Sequence, residues 1–281
     1  MNIFRGTREY AFEMSHALFM ENCDSELNRK IYGHEVQPHG HNWKVRLEIQ
    51  GAKDYNSQMI LDLGDLDKTA RLEIDERYDH RELTFHNFDK VPTLEILTEV
   101  IYNSVKQKCI FLSSVEVQEI PTLSAIYFGG PEVYISTSIQ FSGRHRTHNP
   151  ELRQAVNEQL YGKCNRYHGH NYTLVVTLKG LIDPDSGLVV NRVALDKALD
   201  EFVETHLAYK TLNEIPDLPN GNATTENLIE VIWSMLNTHL IRENITVERD
   251  KYSPKLYRIR IHETDRNHFD YFGPDNKGML Q

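Results

Sequence analysis

The sequence has few cysteines, fewer basic than acidic residues, and no long apolar runs. Its three cysteines, among 281 residues, form no zinc-knuckle spacing and are odd in number, which predicts a reduced, cytoplasmic protein. The formal net charge of −10 argues against a nucleic-acid partner, because phosphate contacts need a basic surface. No apolar stretch is long enough to span a bilayer, and the first residues lack the apolar core of a signal peptide. We therefore expect no membrane partner.

The chain does contain one histidine pattern twice. His-Gly-His-Asn at residues 39–42 recurs at residues 168–171, a constant offset of 129 residues (168 minus 39). His16 and His145 are separated by the same offset. Three histidines in register twice indicate an internal duplication, which has to be recognised before any fold is assigned.

Both halves predict the same order of secondary structure. Each opens with a strand-like run and has a second strand after the His-Gly-His-Asn motif, then two amphipathic helices and a returning strand. This order predicts two α+β modules with antiparallel sheets. We place the first module at residues 1–131 and the second at 132–281, divided at the breaker cluster Gly129-Gly130-Pro131.

The duplicated histidines have the spacing of metal ligands. Residues i and i+2 of a strand point to the same face, so His39 and His41 project together, and His168 and His170 do the same. Three imidazoles without a fourth protein ligand suit Zn²⁺ with an open position. We predict one zinc site at His145, His168 and His170, and a second at His16, His39 and His41. The alternative is a duplicated structural cluster, hydrogen-bonded without metal.

The two halves differ at residues that could carry chemistry. Cys164 corresponds to Glu35, whereas the pair Asp79-His80 corresponds to Ala208-Tyr209. A cysteine near zinc or basic residues can act as a base, and an aspartate can orient a histidine for proton transfer. Taken singly, Cys164 could be a small buried residue and Asp79-His80 a turn pair.

Basic residues also separate between the halves. Four of them flank the second set of histidines: Arg144, Arg146, Lys163 and Arg166. Their counterparts in the first half are Ser15, Ala17, His34 and Gln37. A guanidinium group can donate two parallel hydrogen bonds to phosphate oxygens, so a polyanionic substrate would prefer the second pocket. A solvated basic face is the alternative.

These residues together resemble the family of 6-pyruvoyl-tetrahydropterin synthase and 6-carboxy-tetrahydropterin synthase over nearly the whole chain. The resemblance is carried by Phe-Ser-Gly-Arg-His-Arg at residues 141–146, Cys164 with the motif at 168–171, Thr-Thr-Glu-Asn at 224–227 and His-Glu-Thr-Asp at 262–265. A Cys separated by three residues from His-Gly-His resembles the 6-carboxy-tetrahydropterin branch, which serves queuosine synthesis. The tandem arrangement departs from the single module usual in this family.

The resemblance implies a fold, a substrate and site residues. It implies the tunnelling fold, in which modules of a four-stranded antiparallel sheet and two helices close into a barrel around a pore, as a homo-oligomer. It implies 7,8-dihydroneopterin triphosphate as the substrate and a zinc that polarises side-chain oxygens. Glu263 matches the carboxylate that anchors the pterin N–H groups, with Glu119 as a weaker counterpart. Thr224, Thr225 and Glu226 match a further substrate-binding motif.

Under this resemblance, each half of the chain supplies a catalytic group that the other half lacks. Family sites take the Cys and the Asp–His pair from different protomers, so we predict shared sites in which Asp79 and His80 serve Cys164 and the second zinc site. The reciprocal pairing of Glu35 with Ala208 and Tyr209 would be degenerate. Two alternatives remain: a folate-pathway variant that uses Glu35 to form a hydroxymethyl-dihydropterin, and a silent zinc- or pterin-binding protein. Random decay would not favour complementary losses.

Overall fold

A computed structural model describes residues 2–274, so Met1 and residues 275–281, the outer ends of the two predicted modules, lie outside the described residues. The chain forms two compact units. Among the described residues, the first unit comprises 2–136, 179–193 and 249–254, and the second comprises 137–178, 194–248 and 255–274. The packing units therefore differ from the sequence repeats, since three segments of the second repeat, residues 132–136, 179–193 and 249–254, pack within the first unit.

The first unit is an antiparallel sheet with helices against it. Its strands pair in the order β3-β1-β2-β4-β5, and only the short β3 runs parallel to its neighbour β1. The strands are β1 (Phe4–His16), β2 (His39–Gly51), β3 (Arg81–Leu83), β4 (Leu112–Ile120) and β5 (Leu123–Tyr127). The helices are α1 (Ser25–Tyr32), α2 (Leu63–Ala70), α3 (Glu76–Tyr78), α4 (Phe85–Phe88) and α5 (Leu94–Lys108).

Alternation along β2 creates the core of the first unit. Trp43, Val45 and Leu47 are each 0% exposed, while the residues between them face solvent. Side chains two apart share a face of the sheet, so the same strand also sends His39 and His41 to the buried side. Helix α5 begins at the cap Thr93, whose side chain accepts from the Ile96 N–H, and packs its apolar residues into this core.

The second unit repeats the pattern with the strand order β6-β7-β8-β9. Its strands are β6 (Val133–His145), β7 (His168–Gly180), β8 (Lys255–Thr264) and β9 (Asn267–Tyr271). Its helices are α6 (Gln154–Tyr161), α7 (Arg192–His206) and α8 (Thr225–Arg242). Phe141 and Tyr172 stack with ring centroids 5.1 Å apart, as Phe12 and Trp43 do in the first unit at 6.1 Å.

The α+β class predicted from the sequence is confirmed. The first unit has the additional short strand β3, and its predicted helix over residues 65–74 ends as an α-helix at Ala70 and continues as a π-helical turn to Asp75. Helices α1 and α6 were not predicted. Within residues 2–274, no helix combines the length and apolar character needed to cross a membrane.

Candidate active site

The first histidine triad lies where β1 ends and β2 begins. His16 is paired with His39 in the antiparallel register, and His41 lies two residues further along the same face. The ring centroid of His16 is 4.4 Å from that of His39 and 5.5 Å from that of His41. One ligand atom from each histidine and one from Glu119 all lie within 4.8 Å of one another. The duplication pattern therefore corresponds to a real cluster.

Backbone carbonyls fix the orientation of these rings. The Nδ1 atoms of His16 and His39 lie 3.0 Å from the Pro92 carbonyl oxygen and 2.8 Å from that of Gln37. A carbonyl only accepts, so each Nδ1 carries the proton and each Nε2 presents a lone pair. The Nε2 atoms of His16, His39 and His41 are buried without a hydrogen-bond partner. Such orphaned, oriented nitrogens fit a metal ion.

The second triad repeats this arrangement. The Nδ1 atoms of His145 and His168 lie 2.8 Å from the Ala223 carbonyl oxygen and 2.7 Å from that of Arg166. The Nε2 atoms of His145 and His170 are buried and unpartnered. Burial lowers the pKa values of both of these histidines. Neutral imidazoles with free Nε2 atoms are suitable metal ligands, so the residues of this site also fit a metal ion.

Burial also keeps His16 of the first triad uncharged. It lowers the pKa of His16 to about 4, and the neighbouring His39 and His41 add to the effect, although Glu119 and the Pro92 carbonyl oppose it. A proton on this ring would have to be accommodated in a site that is 0% exposed. Near neutral pH the ring is therefore free to coordinate.

A glutamate stands beside each triad. Glu119 Oε1 lies 3.2 Å from His41 Nε2, and Glu263 Oε1 lies 3.6 Å from His145 Nε2. Glu263 accepts hydrogen bonds from Thr225 Oγ1 at 3.3 Å and from Asn267 Nδ2 at 2.8 Å. Both glutamates lie at the ends of equivalent strands, which places a carboxylate acceptor next to each metal-ligand set.

The predicted Thr-Thr-Glu motif is split between structural and accessible positions. Thr224 caps α8 by accepting from the Asn227 N–H, and Thr225 is buried against Glu263. Glu226 is exposed. Its counterpart Glu95 is 0% exposed, and burial raises its pKa to about 7.

Asp79 and His80 form an oriented pair on the surface of the first unit. His80 Nδ1 lies 3.0 Å from Asp79 Oδ1, and Asp79 Oδ1 also accepts from the Glu13 N–H at 3.1 Å. The Glu13 N–H and then His80 lower the pKa of Asp79, which keeps it ionised. The His80 side chain is 77% exposed, so it is available to a surface outside this unit.

Cys164 lies on an exposed 3₁₀ turn, Gly162–Asn165, directly before β7. Lys163 and Arg166 are exposed beside it. Arg144 and Arg146 stack on the Tyr167 ring, with their guanidinium carbons 4.3 and 4.8 Å from its centroid. The structure thus brings part of the predicted basic cluster together around an aromatic ring.

Comparison with known proteins identifies the family. The profile described as 6-pyruvoyl tetrahydropterin synthase matches residues 5–130 and again residues 134–274. The chain belongs to this family. Two consecutive matches agree with the duplication seen in the histidine pattern.

Each similar relative matches about half of this chain. The 6-pyruvoyl tetrahydrobiopterin synthase of Drosophila melanogaster is 35% identical over 147 residues, which is 51% of this chain and 82% of the relative. The human enzyme is 36% identical over 145 residues, 50% of this chain and 92% of the relative. A solved 6-pyruvoyl tetrahydropterin synthase from Caenorhabditis elegans is 31% identical, covers 52% of this chain and 99% of its own, and has a TM-score of 0.44. This chain is a tandem tetrahydropterin synthase-like lyase.

Each unit of this synthase-like chain has a cleft at the mouth of its triad. The cleft of the first unit, about 1070 Å³, is lined by His41, Glu119 and His80 among others. The cleft of the second unit, about 470 Å³, is lined by His170, Arg144 and Tyr209 among others. His80 or its counterpart Tyr209 and one histidine of the triad therefore open onto the same cleft in each unit.

Sequence reasoning missed two residues at these sites. Tyr167 carries the stacked arginines, but its first-half counterpart is Pro38, so the repeat gave no signal for it. Arg192 reaches the carboxylates of the first unit, although it belongs to the second repeat. A search for residues that break the repeat pattern, as Leu63 and Arg192 do, would have found it.

Proposed function

We propose that the chain is a zinc-dependent lyase acting on 7,8-dihydroneopterin triphosphate, with its working centre at His145, His168 and His170. The observation that carries this proposal is the second unit's Glu263, which lies 3.6 Å from an oriented, orphaned His145 Nε2. A carboxylate acceptor next to a metal-ligand set suits a substrate that presents ring N–H donors and side-chain oxygens together.

Zinc held by the three imidazoles would polarise the substrate's side-chain oxygens. Glu263 accepts hydrogen bonds from the pterin's amino and ring N–H groups, and Thr225 and Asn267 hold that carboxylate in place. Arg144 and Arg146 bind the triphosphate, since the Tyr167 ring holds both guanidinium groups on one side.

Proton transfer falls to Cys164 and the Asp79–His80 pair. Cys164 takes a proton from a side-chain carbon, and His80, oriented by ionised Asp79, moves a proton at the side-chain oxygens. At the corresponding position of the second repeat, Ala208 supplies no carboxylate and Tyr209 no imidazole, so that turn cannot form the same Asp–His pair. The second zinc centre therefore needs the relay of a first module.

The relay comes to the second centre from another chain. Residues 179–193 of the second repeat pack within the first unit, which supports the idea that one module completes the site of another. The equivalent segment of the first repeat, residues 50–64 at the offset of 129, keeps exposed apolar side chains at Tyr55, Met59 and Leu63. Such a surface suits contact with a second copy of the chain. Repeated contacts of this kind would close a homo-oligomeric ring, and that ring would form the barrel of the tunnelling fold.

The product is 6-pyruvoyl-tetrahydropterin, formed with triphosphate elimination, or 6-carboxy-tetrahydropterin, formed with acetaldehyde release. The relatives' names favour the former, and the spacing between Cys164 and His168 favours the latter. Incubation of the zinc-loaded chain with 7,8-dihydroneopterin triphosphate, with products separated by mass, identifies which product forms. The Cys164→Ala variant is the control. Unchanged substrate after incubation would overturn the proposal and favour a silent binding protein.

A further inference from the structure

Arg192 lies between the two acidic groups of the first site. Its Nη1 atom is 3.0 Å from Glu35 Oε1 and 3.7 Å from Glu119 Oε1. The Arg192 side chain is only 16% exposed, and Glu119 is 3% exposed. Arg192, Glu35 and Glu119 all belong to the first unit, although Arg192 comes from the second repeat. The guanidinium thus neutralises both carboxylates that could act in this site.

Arg192 is delivered there by a firmly docked segment. Tyr32 donates to the Ser186 carbonyl at 2.7 Å, and Thr93 Oγ1 donates to the Gly187 carbonyl at 2.6 Å. The Val189 N–H donates to the buried Glu95 Oε1 at 3.1 Å. Gly187 has a positive φ of +73°, and a Cβ there would approach Thr93 to 3.2 Å, so the close contact requires glycine. Arg192 therefore sits at the end of an anchored segment within the first unit.

The other half of the repeat lacks this feature. The offset of 129 residues places Leu63 at the Arg192 position, and Leu63 is 47% exposed. The counterpart of Glu119 is Glu263, which instead accepts from Thr225 and Asn267. The counterpart of Glu35 is Cys164. The arginine is thus present in the half of the repeat in which both positions, Glu35 and Glu119, are carboxylates.

A guanidinium and the amino-pyrimidinone edge of a pterin present the same recognition pattern. Each is a planar carbon bearing adjacent N–H donors, and a carboxylate accepts from either one. Glu119 Oε1 already lies 3.7 Å from Arg192 Nη1, within ion-pair distance. The Arg192 guanidinium therefore already occupies a position next to the Glu119 carboxylate that a pterin edge would need.

We propose that Arg192 is a built-in substitute for the pterin edge, which withholds Glu119 from a pterin that enters the first cleft and holds Glu35 in an ion pair. The first site then remains a metal-ligand set without a substrate. This inference rests on the proposed function only for the pterin class of the ligand. It also removes Glu35 as the base of a hydroxymethyl-dihydropterin-forming reaction.

The test is the number of pterin sites per chain in the full-length, zinc-loaded protein. The probe is biopterin, a fully oxidised pterin without phosphate, titrated by isothermal calorimetry. Wild type should bind one equivalent, and Arg192→Leu, which copies the Leu63 counterpart, should bind two. Lys197→Leu removes an exposed cation from the same helix and should still bind one. Arg192→Met keeps more of the aliphatic stem and should also bind two equivalents. It serves as the test variant if Arg192→Leu does not fold.

Glu263→Gln separates the inference from the proposed function. In the wild-type background it should remove the single equivalent, and in the Arg192→Leu background it should leave one. If wild type binds none but Arg192→Leu binds one, the proposed second site fails while the inference stands. If folded, zinc-containing Arg192→Leu and Arg192→Met both bind the same number as wild type, the inference is wrong.

Discussion

His80 and Tyr209 occupy the same backbone position in the two units. Their φ angles are +56° and +58°, and each N–H donates at 2.7 Å to the carbonyl of an equivalent strand residue, Glu13 or Ser142. A positive φ in a bulky residue costs of order 1–3 kcal/mol, so surrounding structure holds both turns in this conformation. The backbone of this turn is therefore preserved in both modules, and the Asp–His pair of the proposed relay is present in one.

This comparison predicts that His80 carries the relay and that Tyr209 does not. His80→Ala should lower the turnover rate by about 10²- to 10⁴-fold, the usual contribution of an acid–base group. Tyr209→Ala is the matched control and should retain most of the activity, because its side chain is 90% exposed and presents no relay. Rates are compared at equal zinc content. Equal losses in the two variants would show that the turn matters only for structure.

Metal content should divide between the two triads. We expect between one and two zinc ions per chain by elemental analysis. His168→Ala should lower activity far more than His39→Ala, although each variant should lose metal from its own site, because only the second triad lies in the working centre. Full activity in protein stripped of metal would contradict this assignment.

Glu95 should make stability depend on pH. Its folded pKa is about 7, against an ordinary value of 4.5, because of burial. The folded protein thus holds a proton that the unfolded chain releases, and stability that is present below pH 4.5 is lost as the pH rises to 7. Glu95→Gln should recover about 3 kcal/mol at pH 8 and little at pH 4.5, measured by denaturant unfolding. The exposed counterpart Glu226→Gln should change stability little at either pH.

The stacked arginines should govern substrate affinity. Tyr167→Ala should raise KM and make it less dependent on salt, because Arg144 and Arg146 lose their support and their charge-assisted contacts weaken. Tyr167→Phe keeps the ring and should behave as wild type. Lys255→Ala, an exposed cation elsewhere in the second unit, should have no effect. Equal KM values for the triphosphate substrate and for dephosphorylated dihydroneopterin would show that the basic cluster does not bind the substrate.

The sequence predicted the histidine triads because strand geometry has a fixed period of two and the repeat has a fixed offset. Glu119 and Glu263 instead came from the family resemblance, because extra residues in the second half break the constant offset there, and the structure has both near the ends of equivalent strands. The role of Arg192 could not be predicted, because it depends on residues 179–193 packing within the first unit, a tertiary contact with no local signal. Helix α6 was also missed, since Arg153 at its start provides no side-chain cap.

The central claim is that Cys164 and His80 of different chains act in one site. Its direct test is co-expression of Cys164→Ala with His80→Ala, each of which should be nearly inactive alone. Random pairing in a closed ring gives about a quarter of the sites both an intact Cys164 and an intact His80, so the mixture should recover about a quarter of wild-type activity. A mixture no more active than its parents, or a fully active His80→Ala chain, would contradict the shared site.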